Sequence, residues 1–178
     1  MDNDRTDRSL IASAIDGFSA AAFSDPDSIP ALSSAYVLCW ESQGQAIPFY
    51  VGQTENLSIR MMDYRAGQFA APTDFRVAEA IRYFRDMKCE IGLRYKPSAN
   101  PRSDERTTIR KLQLCGVRLL NEFLGYDWKA KDRKQEEAEA IRKFCAVLIG
   151  SKSASPAMTP LPVGGRRVDW PPISCMLI

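Results

Sequence analysis

Hydrophobic and polar positions change period several times along the chain, and each change marks an element. Over residues 8–22 small and apolar side chains recur at helical spacing, until Ser24-Asp25-Pro26-Asp27-Ser28-Ile29-Pro30 breaks the run. That pattern predicts an N-terminal helix followed by a loop. Ala35–Trp40 and Ile47–Val51 are aromatic and β-branched runs, separated by the polar Glu41-Ser42-Gln43-Gly44-Gln45, and together they predict a hairpin. Leu57, Met61 and Tyr64 then form the inward stripe of a helix. Thr54 is placed to cap it, and Glu55 suits its positive end.

Val77, Ile81 and Phe84 predict a second helix over Asp74–Met87. The next segment alternates strictly: Cys89, Ile91, Leu93 and Tyr95 interleave with Glu90, Gly92, Arg94 and Lys96. Period two of this kind belongs to a half-buried strand. After the loop Pro97–Pro101, Ser103 is expected to cap a third helix ending near Leu114. A fourth, Asp132–Ile149, presents Ala138, Ile141, Cys145 and Leu148 on one side.

Two strands, two helices, one strand and then helices predict an α+β domain built on a small three-stranded, mostly antiparallel sheet flanked by helices. The chain divides into a helical arm and loop (1–34), a central domain (35–128), an amphipathic helix (129–150) and a tail rich in proline, glycine and serine (151–178).

Composition narrows the class. The 178 residues suffice for one domain with a core, and 45% apolar with 26% charged residues is the balance of a soluble globular protein. No apolar run approaches a membrane span and the acidic N-terminus is unlike a signal peptide, so a cytoplasmic protein without a membrane partner is expected. Five scattered cysteines without a CxxC pair predict reduced thiols and argue against zinc. The net charge of +2 conceals an asymmetry. Residues 1–34 hold six aspartates and two arginines, a balance of −4, whereas 60–111 hold twelve basic and seven acidic residues, a balance of +5. A basic middle suits a polyanion.

The candidate chemistry lies in Phe49-Tyr50-Val51-Gly52-Gln53 and the helix after it. Tyr50 at a strand end, Arg60 ten residues on and Tyr64 one turn beyond form a half-site for a phosphodiester. Taken singly, each has a structural role as the commoner reading: a strand tyrosine is usually core, and a helix arginine is usually solvated or ion-paired. Glu105, Ile109 and Leu112 at i, i+4 and i+7 place a carboxylate on a core-facing helix stripe, where a surface glutamate should not be.

In order and spacing these residues resemble the GIY-YIG endonucleases. Ala35-Tyr36-Val37 matches the first signature element and Tyr50-Val51-Gly52 the second, and Gln53-Thr54-Glu55-Asn56-Leu57 with Arg60 matches the continuation. The likeness covers about residues 35–121; Ala35 replaces the first glycine, and the gap between Tyr36 and Tyr50 is stretched by the hairpin loop. It implies a catalytic set of Tyr36, Tyr50, Arg60, Tyr64 and Glu105, with Glu105 as the ligand of Mg²⁺ or Mn²⁺. It further implies nucleic-acid contacts from Gly52, Gln53 and Asn121. The basic run Arg76, Arg82, Arg85, Arg94, Lys96, Arg102, Arg106 and Arg110 is the candidate track for a nucleic-acid backbone, Arg102 and Arg106 foremost. DNA is the expected substrate, with a homodimer or partner protein supplying specificity. A chain that keeps the fold as a non-cleaving nucleic-acid-binding module or adaptor is the alternative.

Overall fold

The computed structural model describes residues 3–42, 45–67, 72–122 and 133–150. These form an α+β fold with five helices around a four-stranded antiparallel sheet: α1 (Asn3–Ala14), β1 (Ser19–Ala22), β2 (Ser34–Ser42), β3 (Gln45–Thr54), α2 (Leu57–Ala66), α3 (Pro72–Asp86), β4 (Glu90–Pro97), α4 (Pro101–Leu114) and α5 (Arg133–Gly150). Strand order is β1-β4-β2-β3. The tail after residue 150 lies outside the described residues.

The sheet therefore has one strand more than expected. Residues 19–22 were read as the end of the first helix, yet they pair with β4 from Ser19 opposite Tyr95 to Ala22 opposite Gly92. Two local facts override the helical preference of three consecutive alanines. Gly17 turns the chain at a φ of 78°, and β4 offers an edge whose backbone groups need partners. Residues 19–22 thus complete the sheet as its outer strand.

β3 pairs only with β2, as an edge strand. Its register shifts between Leu38 and Cys39, which face Tyr50 and Pro48, so Phe49 is an extra residue in a bulge. Edge position and bulge together accommodate Pro48, which has no N–H to donate. The bulge also brings the consecutive Phe49 and Tyr50 into the same core.

Cores lie on both faces. Tyr36, Leu38, Trp40 and Leu93 pack with Leu57, Met61 and Tyr64 of α2, Val77, Ile81 and Phe84 of α3, and Ile141, Phe144 and Cys145 of α5. Phe84 stacks on Trp40 at 6.0 Å and meets Phe49 at 4.9 Å between ring centroids. Each such buried side chain contributes about 1.5–3 kcal/mol. On the other face Val37, Cys39 and Val51 pack with Ala14 of α1 and Leu112 of α4.

Helix starts differ from expectation in an instructive way. Asn56, not Thr54, caps α2 by accepting from the Ile59 N–H at 3.2 Å, while the Thr54 hydroxyl accepts from the Asn56 N–H at 3.1 Å. Asn100, not Ser103, caps α4, with Pro101 at the first helical position where its missing N–H costs nothing. The four described cysteines are free, and no helix among the described residues is long and apolar enough to cross a membrane.

Candidate active site

One cleft of about 270 Å³ is lined by Tyr36 of β2, Tyr50 and Gln53 of β3, Arg60 and Tyr64 of α2, and Glu105 of α4. Thr73, Asp74 and Arg76 of α3 and Leu120 and Asn121 from the short 3₁₀ turn Leu120–Glu122 complete it. Residues dispersed between positions 36 and 121 therefore meet across five elements and a turn.

The phenols form its inner wall. Tyr36 and Tyr64 hydroxyls are 2.9 Å apart, and the Tyr36 ring lies 6.2 Å from that of Tyr50 and 6.5 Å from that of Tyr64. Gly52 makes this possible. It stands directly opposite Tyr36 in the ladder, and a Cβ there would lie 2.5 Å from the Tyr36 Cζ and hydroxyl and 2.9 Å from Tyr50 Cε1. The glycine of the second motif is thus a space requirement, which lets one phenol lie across the strand backbone. The expected nucleic-acid contact by Gly52 gives way to this role, since the residue is buried beneath two rings.

Burial raises all three phenols, but unequally. Tyr36 is pushed well above the usual phenol value by burial and by the neighbouring Tyr64 and Tyr50, with the Arg60 charge pulling it back. Tyr50 is likewise pushed well up by burial and by Tyr64, and the Glu105 and Asp74 charges add to the rise. Tyr64 is raised by burial but drawn down by its hydrogen bond with Tyr36, the Arg60 charge and its hydrogen bond with Tyr50. The Asp74 charge opposes these and adds to the rise. All three phenols are thus held in the neutral form by burial, with Tyr64 receiving the most help toward its anion from hydrogen bonds and from Arg60.

Arg60 is held on two sides. Its Nη1 donates to Asp74 Oδ1 at 2.9 Å, and its guanidinium carbon sits 5.7 Å from the centre of the Tyr64 ring. Asp74 and Thr73 are not picked out by the sequence, because nothing in a helix pattern says which polar residues face a cleft, whereas Arg76, a member of the basic track, does line it. Arg76 forms an ion pair through Nε with Glu137 of α5, and both side chains are buried.

Glu105 is half-buried, and burial raises its pKa while Arg102 and Arg106 hold it down. Those two arginines are exposed on α4 and outside the cleft lining, so they act on Glu105 from the solvent side. The start of α4 is pinned to β4. Asp104 accepts from the Ser98 hydroxyl at 2.6 Å and from Lys96 Nζ at 3.3 Å, and its pKa is lowered by the Ser98 hydrogen bond.

Asn121 lines the cleft but uses both ends of its amide on one backbone residue. It accepts from the Val51 N–H at 2.9 Å and donates to the Val51 carbonyl at 2.7 Å. This replaces a strand partner on the free edge of β3 and fixes Val51 between Tyr50 and Gly52. Gln53 is exposed at the cleft rim.

Among the described residues no group of three or more His, Cys, Asp or Glu converges. Asp74 is engaged by Arg60, so a cation in this cleft would rest on Glu105 and water. One half-buried carboxylate at an open cleft fits a hydrated hard cation such as Mg²⁺, which keeps several waters and takes one or two carboxylates. No protein-family model matches the sequence, and no curated protein is significantly similar to it.

Proposed function

We propose that the protein is a metal-dependent endonuclease of the GIY-YIG type that hydrolyses DNA phosphodiester bonds. The observation that carries this reading is the convergence in one cleft of three phenols, an arginine and a glutamate from β2, β3, α2 and α4. Isolated core tyrosines have no reason to face an arginine and a half-buried carboxylate across a common opening.

The cleft's own residues divide the work by their chemistry. Arg60 presents N–H donors to the non-bridging oxygens of a phosphodiester and stays charged at any working pH. It favours the pentacovalent state more than the ground state, because negative charge on those oxygens grows as the water attacks. Tyr64, whose hydroxyl meets that of Tyr36 at 2.9 Å and whose ring lies beside the Arg60 charge, is the phenol assigned to orient the attacking water. Because burial raises its pKa, it serves as general base only with positive charge close by. Tyr36 and Tyr50, pushed further up, stay protonated and donate hydrogen bonds to Tyr64 or to the phosphate. Glu105 is the residue that would hold Mg²⁺ or Mn²⁺, and a cation there supplies positive charge to the phosphate and the leaving oxygen. Exposed Arg102 and Arg106, with Gln53 at the rim, are assigned to backbone contacts that seat the strand.

The raised phenols also give the alternative its one support, since a buried neutral tyrosine is a poor base without a cation beside it. A non-cleaving nucleic-acid-binding protein would keep the cleft for grip alone. Supercoiled DNA incubated with Mg²⁺ or with EDTA separates the two. The nuclease nicks only with the metal, and Arg60→Ala and Glu105→Ala each lower the rate at least a hundredfold. Binding with no cutting under any metal, unchanged by Glu105→Ala, establishes the alternative.

A further inference from the structure

We infer that Asp74 is a positioning residue that sets the guanidinium of Arg60 in the cleft for phosphate. The inference rests on the reading of Arg60 as the phosphate-gripping group, and it concerns a residue that no motif in the sequence picks out.

The geometry is specific. Asp74 lies in the first turn of α3, where the positive helix end favours a carboxylate, and its side chain is only 8% exposed. Arg60, on the neighbouring helix, keeps 31% of its side chain exposed. A 2.9 Å ion pair between Arg60 Nη1 and Asp74 Oδ1 joins them. A lone end-on contact would leave the guanidinium free to rotate about it. The Tyr64 ring, 5.7 Å from the guanidinium carbon, limits that freedom by giving the cation a second neighbour. Arg60 is thus held on two sides before any substrate arrives, while its exposed part still lines the cleft.

An arginine has five N–H donors and a long side chain. Left to itself on a helix surface it would sample many rotamers, and only some would present a fork to a phosphate. Asp74 uses an N–H that the phosphate does not need and removes those other rotamers. The benefit is preorganisation, which acts on the rate of the chemical step more than on affinity. One oxygen of the Asp74 carboxylate is thereby committed to a permanent cation.

Single-turnover cleavage with Mg²⁺ at saturating DNA, DNA affinity in EDTA, and the side-chain Nε–Hε resonance of Arg60 test this in Asp74→Asn and Asp74→Glu. Asp74→Asn should slow cleavage ten- to a hundredfold with the dissociation constant changed less than threefold, and should broaden or lose the Arg60 resonance. Asp74→Glu, which keeps the charge, should remain faster than Asp74→Asn. A role in packing alone gives the reverse order, since asparagine nearly matches the shape of aspartate and glutamate does not. Wild-type cleavage rates in Asp74→Asn, slower cleavage in Asp74→Glu than in Asp74→Asn, or an Arg60 resonance unmoved by either change would overturn the inference. If the wild-type protein cuts no DNA, the endonuclease reading fails by itself, and the Arg60 resonance alone decides whether Asp74 holds the guanidinium.

Discussion

Glu105 is pulled in two directions by its surroundings, and the balance has a measurable consequence. Burial raises its pKa, and the charges of Arg102 and then Arg106 lower it. A cation needs the carboxylate form, so the metal-dependent rate should rise with pH through the folded-state pKa of Glu105. With Mg²⁺ below saturation the acid limb therefore follows the raised pKa of Glu105, and saturating Mg²⁺ moves it to lower pH by competing with the proton. Arg102→Ala and Arg106→Ala remove the two stabilising charges, raise that pKa further and move the limb to higher pH. The sign for stability is opposite. A carboxyl whose folded pKa is raised adds to stability below its unfolded pKa, and that contribution is lost as pH climbs through the folded value. A pH profile of single-turnover cleavage at saturating DNA separates the shift from weakened binding. A limb at the same pH in both variants would show that the arginines do not act on Glu105.

Among the elements, the β2–β3 pair does most to build the site, because Gly52 sits opposite Tyr36 and leaves space for its ring. Gly52→Ala would force the Tyr36 and Tyr50 rings aside, since neither ring is a flexible chain end. We expect a loss of about 1–3 kcal/mol from overpacking, measured by denaturant unfolding, and a larger relative loss of cleavage because the Tyr36–Tyr64 contact breaks. An alanine variant with wild-type stability and activity would mean the rings rearrange freely. This pair is also the most legible part of the sequence, since its two aromatic and β-branched runs, the polar segment between them and the stripe Leu57, Met61 and Tyr64 are simple local patterns. Legibility ended where local pattern loses to tertiary pairing. Ser19–Ala22 reads as helix from its alanines and is a strand because β4 has an open edge. The α2 and α4 caps were each missed because two capping residues stand close together and only the backbone path chooses between them. In the site, Tyr36, Tyr50, Arg60, Tyr64 and Glu105 could be named because motif spacing identifies them, whereas Asp74 could not, since its partner is set by the packing of α2 on α3.

At the scale of the whole molecule, the C-terminal helix is tied to the cleft through α3. Phe144 and Cys145 enter the main core, Arg142 approaches Glu79 at 3.6 Å, and Glu137 closes a buried ion pair with Arg76, itself a lining residue. The segment read as a separate amphipathic helix is therefore structurally continuous with the site. A buried pair of this kind is costly to break and cheap to replace, because removing one partner leaves the other charge in a low-dielectric interior. Glu137→Ala should then lower the unfolding free energy by about 3–5 kcal/mol. The double variant Arg76→Met with Glu137→Leu should recover most of it, as apolar side chains of similar volume need no compensation. Equilibrium denaturation of the two variants gives both numbers. A loss under about 1 kcal/mol in Glu137→Ala would mean that water reaches the pair. Cleavage by the double variant then asks a second question of the same proteins. Activity restored along with stability makes Arg76 a strut between α3 and α5, and stability restored without activity makes its charge part of the cleft's grip on phosphate.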